Sequence, residues 1–164
     1  MKKVVFIRHA KSSWDEPSLR DLDRPLNSRG LLDAPKMANY LLQSENLKNL
    51  AIISSSAKRA RQTAFYFAEA FDIKPDEILT DEQLYFGDAL DYIKAFYGLD
   101  DKFKSCLIFG HNPNIEHLVA QFSNPYLGHA PTCSMFICET SLNLWNAIQA
   151  KDFILMKHVY PKMI

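Results

Sequence analysis

Val4-Val5-Phe6-Ile7-Arg8-His9-Ala10-Lys11 sets four consecutive apolar residues directly ahead of a guanidinium and an imidazole. A continuous apolar run of this length reads as a strand buried on both faces, which belongs to a sheet covered by helices. In open sheets of that kind ligands gather beyond the carboxyl ends of the strands. Arg8 and His9 would lie at that edge, where a fork of N–H donors beside a ring nitrogen suits an anion such as phosphate.

Two later segments repeat the layout of strand, polar turn and helix. Ala51-Ile52-Ile53 reads as a short buried strand and Ser54-Ser55-Ser56 as the turn. Residues 57–71 then read as a helix carrying Ala60, Ala64, Phe67, Ala68 and Phe71 at helical spacing. Arg59 falls in the first turn of that helix, where unpaired backbone N–H groups already favour an anion; Arg61 reads as a solvated helix arginine. Cys106-Leu107-Ile108-Phe109 is the third such strand, Gly110 a tight turn, and Asn112-Pro113-Asn114 a helix start. His111 lies in the turn itself, and the glycine before it would permit close backbone approach to a ligand.

The rest of the chain alternates strand and helix patterns with short connections and no internal repeat. After the charged loop Ser12 to Leu26 a helix is expected from about Ser28 to Ser44, with Leu31, Leu32, Met37, Leu41 and Leu42 inward and Pro35 in its first turns. Ile78-Leu79 reads as a brief strand and Ala89 to Tyr97 as a helix. Ile115, Leu118, Val119 and Phe122 form one apolar stripe after Pro113. Ser134 to Glu139 and Phe153 to Val159 switch to strand character and suggest a late hairpin. The sum is an α/β sandwich with a mixed sheet.

Composition bounds the rest. A chain of 164 residues with 48% hydrophobic content suits a single domain over 1–164. Lysine plus arginine and aspartate plus glutamate balance at 19 each, so no excess positive field exists to hold nucleic acid or an anionic membrane. Lys2-Lys3 precede only four apolar residues, too few for a signal-peptide core, and no run reaches membrane-spanning length, so a cytoplasmic location is expected. Cys106, Cys133 and Cys138 read as buried thiols rather than disulfides or metal ligands. His117, His129 and His158 read as structural or solvated.

The ordered set Arg8-His9-Ala10, Arg59-Ala60-Arg61-Gln62-Thr63 and Gly110-His111-Asn112-Pro113 resembles the signature of the histidine phosphatase superfamily, with Ala10 where that signature usually has glycine. The run Asp21-Leu22-Asp23-Arg24-Pro25-Leu26-Asn27-Ser28-Arg29-Gly30 further resembles the short phosphohistidine phosphatases of the SixA type. The resemblance covers nearly the whole chain. It implies a three-layer α/β/α sandwich with a mostly parallel central sheet, of phosphoglycerate mutase-like type.

The resemblance also implies roles. His9 would be the nucleophile, and Arg8, Arg59 and His111 would clamp the phosphate. Glu82 or Asp21 would be the general acid, with Asp15 and Asp23 weaker candidates. No cofactor and no metal are expected. The substrate would be phosphohistidine on a protein, or a small phosphomonoester. A mutase-like phosphotransferase and a non-catalytic phosphate-binding module remain as alternatives. Other phosphatase chemistries are excluded by position: a cysteine-dependent enzyme needs an arginine six residues after its cysteine, and those places hold Asn112, Glu139 and Leu144. No P-loop pattern is present.

Overall fold

The computed structural model describes residues 1–164 and shows six strands in one sheet: β1 (Lys2–Arg8), β2 (Leu50–Ser55), β3 (Leu79–Asp81), β4 (Ser105–Gly110), β5 (Met135–Thr140) and β6 (Ile154–Val159). Their order is β3-β2-β4-β1-β5-β6. The pairs β1–β4, β4–β2 and β2–β3 are parallel, while β1–β5 and β5–β6 are antiparallel, so the late hairpin closes a mixed sheet. The helices are α1 (Ser28–Ser44), α2 (Lys58–Ala70), α3 (Gln83–Phe86), α4 (Asp91–Lys94) and α5 (Asn114–Val119).

The continuous apolar runs are explained by cover on both faces. Val5 and Ile7 join Leu107 and Phe109 in a cluster under α1 and α2, whereas Val4 and Phe6 join Cys106 and Ile108 in a cluster under α4 and α5. Val4, Val5, Phe6 and Ile7 are all fully buried. At roughly 2 kcal/mol per buried side chain, this one strand contributes on the order of 8 kcal/mol of gross hydrophobic stabilisation. The residues that follow it are therefore carried on a strand packed into the core on both faces.

Three expectations need correction. Leu31, Leu32 and Leu42 are exposed; the inner face of α1 is Gly30, Ala34, Met37, Ala38 and Leu41. The rotation of the helix is set by its small residues, because Gly30 packs against the Lys11 carbonyl where any Cβ would clash, and by Asn27, whose side chain caps Gly30 N–H at 2.9 Å. The helix expected over 89–97 shrinks to the single turn α4. Beyond Ala95 the chain winds by tighter bonds three residues back, Tyr97 N to Lys94 O and Leu99 N to Phe96 O. Gly110 ends β4 without a positive φ, and what its missing side chain admits is the Tyr92 hydroxyl.

Candidate active site

The carboxyl ends of β1, β2 and β4 are neighbours, and each delivers one or two polar side chains to the same place. His9 follows β1, Ser55 ends β2, and His111 follows β4. Arg59 is the second residue of α2 and points back over the sheet edge. His9, Arg59 and His111 are all buried, with the two imidazole centroids 5.1 Å apart. Arg8 is half-buried beside them and donates from Nη1 to the Ala130 carbonyl at 2.7 Å, while its Nε is buried without a partner.

The tautomer of His9 follows from its partners. Nδ1 lies 2.7 Å from the Ala10 carbonyl oxygen, which can only accept, so Nδ1 carries the hydrogen. The lone pair is then on Nε2, and it accepts from Arg59 Nε at 3.2 Å. Burial lowers the His9 ring well below the usual histidine range, and the neighbouring His111, Arg59 and Arg8 add to this. The ring is thus neutral, with its Nε2 lone pair aimed at the guanidinium.

His111 is neutral for the same reasons. Burial, with Arg59 and Arg8, lowers it to about 3. Its Nε2 meets Ser55 Oγ at 2.7 Å, and that hydroxyl already accepts from Ala57 N–H, so its own proton is free to go to Nε2. The imidazole hydrogen then sits on Nδ1, which is buried and has no partner in the fold. A buried donor left unpaired costs about 1–3 kcal/mol, and a phosphate oxygen would satisfy it. The backbone holds the ring in place through His111 N–H to Tyr92 Oη at 2.8 Å.

Asp21 closes the site from the loop that precedes α1. Its carboxylate accepts from Arg59 Nη2 at 2.9 Å, Tyr85 Oη at 2.8 Å and Arg24 Nε at 3.0 Å, and its carbonyl accepts from Arg59 Nη1 at 2.6 Å. Burial alone would raise this carboxyl, but the hydrogen bonds from Tyr85, Arg59 and Arg24 outweigh it and hold the group at about 2. Arg24 is itself fixed by the Ser13 carbonyl at 3.0 Å and by stacking under Trp14 at 3.4 Å. Tyr85 sets its ring edge-on to His111, 5.4 Å between centroids.

The structure thus brings together Arg8, His9, Asp21, Arg59 and His111. Glu82 is exposed at the start of α3 and its side chain makes no hydrogen bond into the cluster; Asp15 is exposed, and Asp23 pairs with Arg20. Tyr85, Arg24, Ser55 and Tyr92 were not singled out from sequence. Tyr85 stands three residues beyond Glu82 and Arg24 three beyond Asp21, so both lay inside stretches already marked. His129 is exposed and pairs with Glu116 at 2.9 Å, and His158 stacks on Phe136 at 4.3 Å. All three cysteines are buried and free. No helix is long and apolar enough to cross a membrane.

The sequence model of the histidine phosphatase superfamily (branch 1) matches residues 4–85, half of the chain and the half that holds Arg8, His9, Asp21 and Arg59. The chain belongs to the histidine phosphatase superfamily. Solved structures place its fold with the SixA type. It is similar to a protein from Agrobacterium tumefaciens provisionally named phosphohistidine phosphatase SixA, with 26% identity, a TM-score of 0.79 and 98% of each chain covered. The protein histidine phosphatase SixA in complex with tungstate matches at 19% identity and a TM-score of 0.80, again over 98% of each chain. A mycobacterial glucosyl-3-phosphoglycerate phosphatase shares the fold at 17% identity and a TM-score of 0.64, over 98% of each chain. In sequence, an uncharacterized chloroplastic protein of Arabidopsis thaliana is 48% identical over 62 residues, which span 38% of this chain and 28% of that protein.

Superfamily membership with SixA-type neighbours supports phosphatase activity. The signature glycine is Ala10 here, and the structure accommodates it. Residues with positive φ other than glycine are Asn49, Asp72 and Cys133, so Ala10 keeps an ordinary backbone angle. It is fully buried, donates its N–H to Thr63 Oγ1 at 3.0 Å, and uses its carbonyl to set the His9 tautomer. None of these contacts requires the absence of a methyl group.

Proposed function

We propose that this protein hydrolyses phosphoryl groups through a phosphohistidine intermediate on His9, and that its substrate is phosphohistidine carried on another protein. The observation that carries the reading is the His9 Nε2 lone pair, held neutral and aimed at Arg59. His9 Nε2 attacks phosphorus in line, the bond to the leaving group breaks, and the phosphoryl group resides on Nε2. Water then attacks, the N–P bond breaks, and inorganic phosphate leaves with His9 regenerated. Arg8, Arg59 and the Nδ1–H of His111 face the three equatorial oxygens, where charge must be matched in a loose transition state. The path draws on side chains and water, with no metal ion and no cofactor.

Asp21 is the carboxylate placed to serve the leaving group. Held at about 2 by its three donors, it is ionised at pH 7. An arriving phosphate dianion competes for the donors of Arg59 and adds like charge, and both effects raise the carboxyl. An alkoxide leaving group needs that proton during cleavage. A phosphohistidine whose far ring nitrogen is protonated leaves as neutral imidazole and needs it less. The open rim supports a protein substrate as well, because Trp14 and Phe86 are 71% and 67% exposed on either side of the Asp21 network. That SixA is named a protein histidine phosphatase agrees with the same substrate class.

The test is a comparison of wild type with His9→Ala on several phosphohistidine proteins and on small phosphomonoesters. The reading expects faster turnover of phosphohistidine and complete loss in the variant. Preference for phosphomonoesters would move the substrate to small molecules, and transfer to an added acceptor alcohol in place of water would make the protein a mutase-like transferase.

A further inference from the structure

Beside the phosphate clamp lies a cavity of about 520 Å³ whose wall includes Arg8, Lys11, Arg29, Lys162, His129 and Asp33. Four permanent cations face one carboxylate there, in a chain whose total charge is zero. Asp33 is already committed to Arg29 at 3.0 Å, and neither Lys11 nor Lys162 has a carboxylate partner. Two lysines without a carboxylate partner, beside Arg8, raise the local concentration of anions in this concave wall.

The wall is also fixed in place. Glu116 Oε1 accepts from Ala130 N–H at 2.8 Å and pairs with His129 Nδ1 at 2.9 Å, and the Ala130 carbonyl takes the Arg8 Nη1 bond. Arg8 is common to the clamp and the cavity, and its buried Nε has no partner. A substrate anchored by phosphate on Arg8, His9 and Arg59 would therefore extend directly into a basic recess.

Building on the phosphatase reading, we propose that this cavity is a second anion subsite, which receives an acidic group of the substrate next to the transferred phosphate. The ligand chemistry is a carboxylate or a second phosphate, supplied by an acidic side chain flanking phosphohistidine or by a small doubly anionic ester. Recognition resides in Lys11 and Lys162, with Arg8 bridging the two anion sites. It gives the enzyme a preference for acidic sequence context that the clamp alone cannot supply.

The experiment measures calorimetric binding to the wild-type protein of two short peptides bearing a non-hydrolysable phosphohistidine analogue, one flanked by three glutamates and one by three glutamines, together with hexane-1,6-diyl bisphosphonate. We expect the glutamate peptide to bind about tenfold more tightly, as several partly exposed charge pairs each worth a few-fold would give. The ratio should shrink at high salt and collapse to near one in Lys11→Gln/Lys162→Gln, with thermal melts showing that the variant is folded. Weaker binding of the bisphosphonate alone in that variant assigns the acidic group to a small substrate; weakening of the glutamate peptide assigns it to a protein. A ratio near one in wild type together with unchanged bisphosphonate binding in the variant overturns the proposal, as does a tenfold ratio that survives the double substitution. Turnover of a phosphohistidine protein by wild type reports separately on the phosphatase reading: its absence alongside a charge-dependent ratio would sink that reading and leave the subsite standing.

Discussion

Asp21→Asn removes a charge from the centre of the site while keeping its size, and its cost can be worked from the structure. The carboxyl drops from its ordinary 3.8 to about 2, which at ~1.36 kcal/mol per pH unit is about 2.4 kcal/mol of linked stability. The side chain is 47% exposed, so solvent screening reduces this to about 1 kcal/mol. Because the folded value lies below the unfolded one, the contribution is fully present above about pH 4 and is lost as pH falls through about 2. Urea denaturation of wild type and variant should show a gap of about 1 kcal/mol at pH 7 that narrows to roughly half by pH 3. His9, which Asp21 does not shift, cancels in the difference, and His111, which Asp21 raises, enters it only as pH nears its folded value of about 3. A gap of constant size across this range, or none at pH 7, would refute the claim that Arg59, Tyr85 and Arg24 hold an ionised Asp21.

On substrates the same variant should lose more turnover with an alkyl phosphate than with phosphohistidine, by about tenfold or more, whereas Glu82→Gln should stay within twofold of wild type on both; equal losses on both substrates in Asp21→Asn would remove its acid role. Imidazole titration by NMR should find His9 and His111 neutral from pH 8 down to 5, and a midpoint near 6.5 for either ring would contradict the burial argument. Gly110→Ala drives a methyl into the Tyr92 hydroxyl that holds His111 N–H, and is expected to cost about 1–3 kcal/mol of stability together with activity. Unaltered thermal melting would show that this packing is softer than described.

The strands and their carboxyl ends were legible because burial on both faces leaves unbroken apolar runs, and Arg8, His9, Arg59 and His111 each stand within a few residues of such a run. The bounds of α1 were equally plain, but its rotation was not. Large apolar residues mark an inner face only when the neighbour leaves room; the chain at Lys11 comes too close to Gly30 for any side chain, and with Gly30 turned inward Ala34 and Ala38 are buried on the same face. Tyr85 and Arg24 are ordinary polar residues whose bonds to Asp21 exist only after the loop before α1 folds over the sheet edge, and Ser55 meets His111 only because β2 and β4 are neighbours. Ala10 acts through its carbonyl, which no side-chain pattern reveals. That Asp21 and not Glu82 reaches the cluster likewise follows from tertiary closure, since both sit at sequence distances that permit either.

The central claim is that Nε2 of His9 takes the phosphoryl group. Rapid quenching of wild type with a radiolabelled phosphohistidine protein, followed by mapping of the acid-labile label, tests it directly. The account predicts one phosphoryl group on His9, attached through Nε2. Label on Nδ1 of His9, label on His111, or turnover with no trapped phosphoenzyme would contradict it.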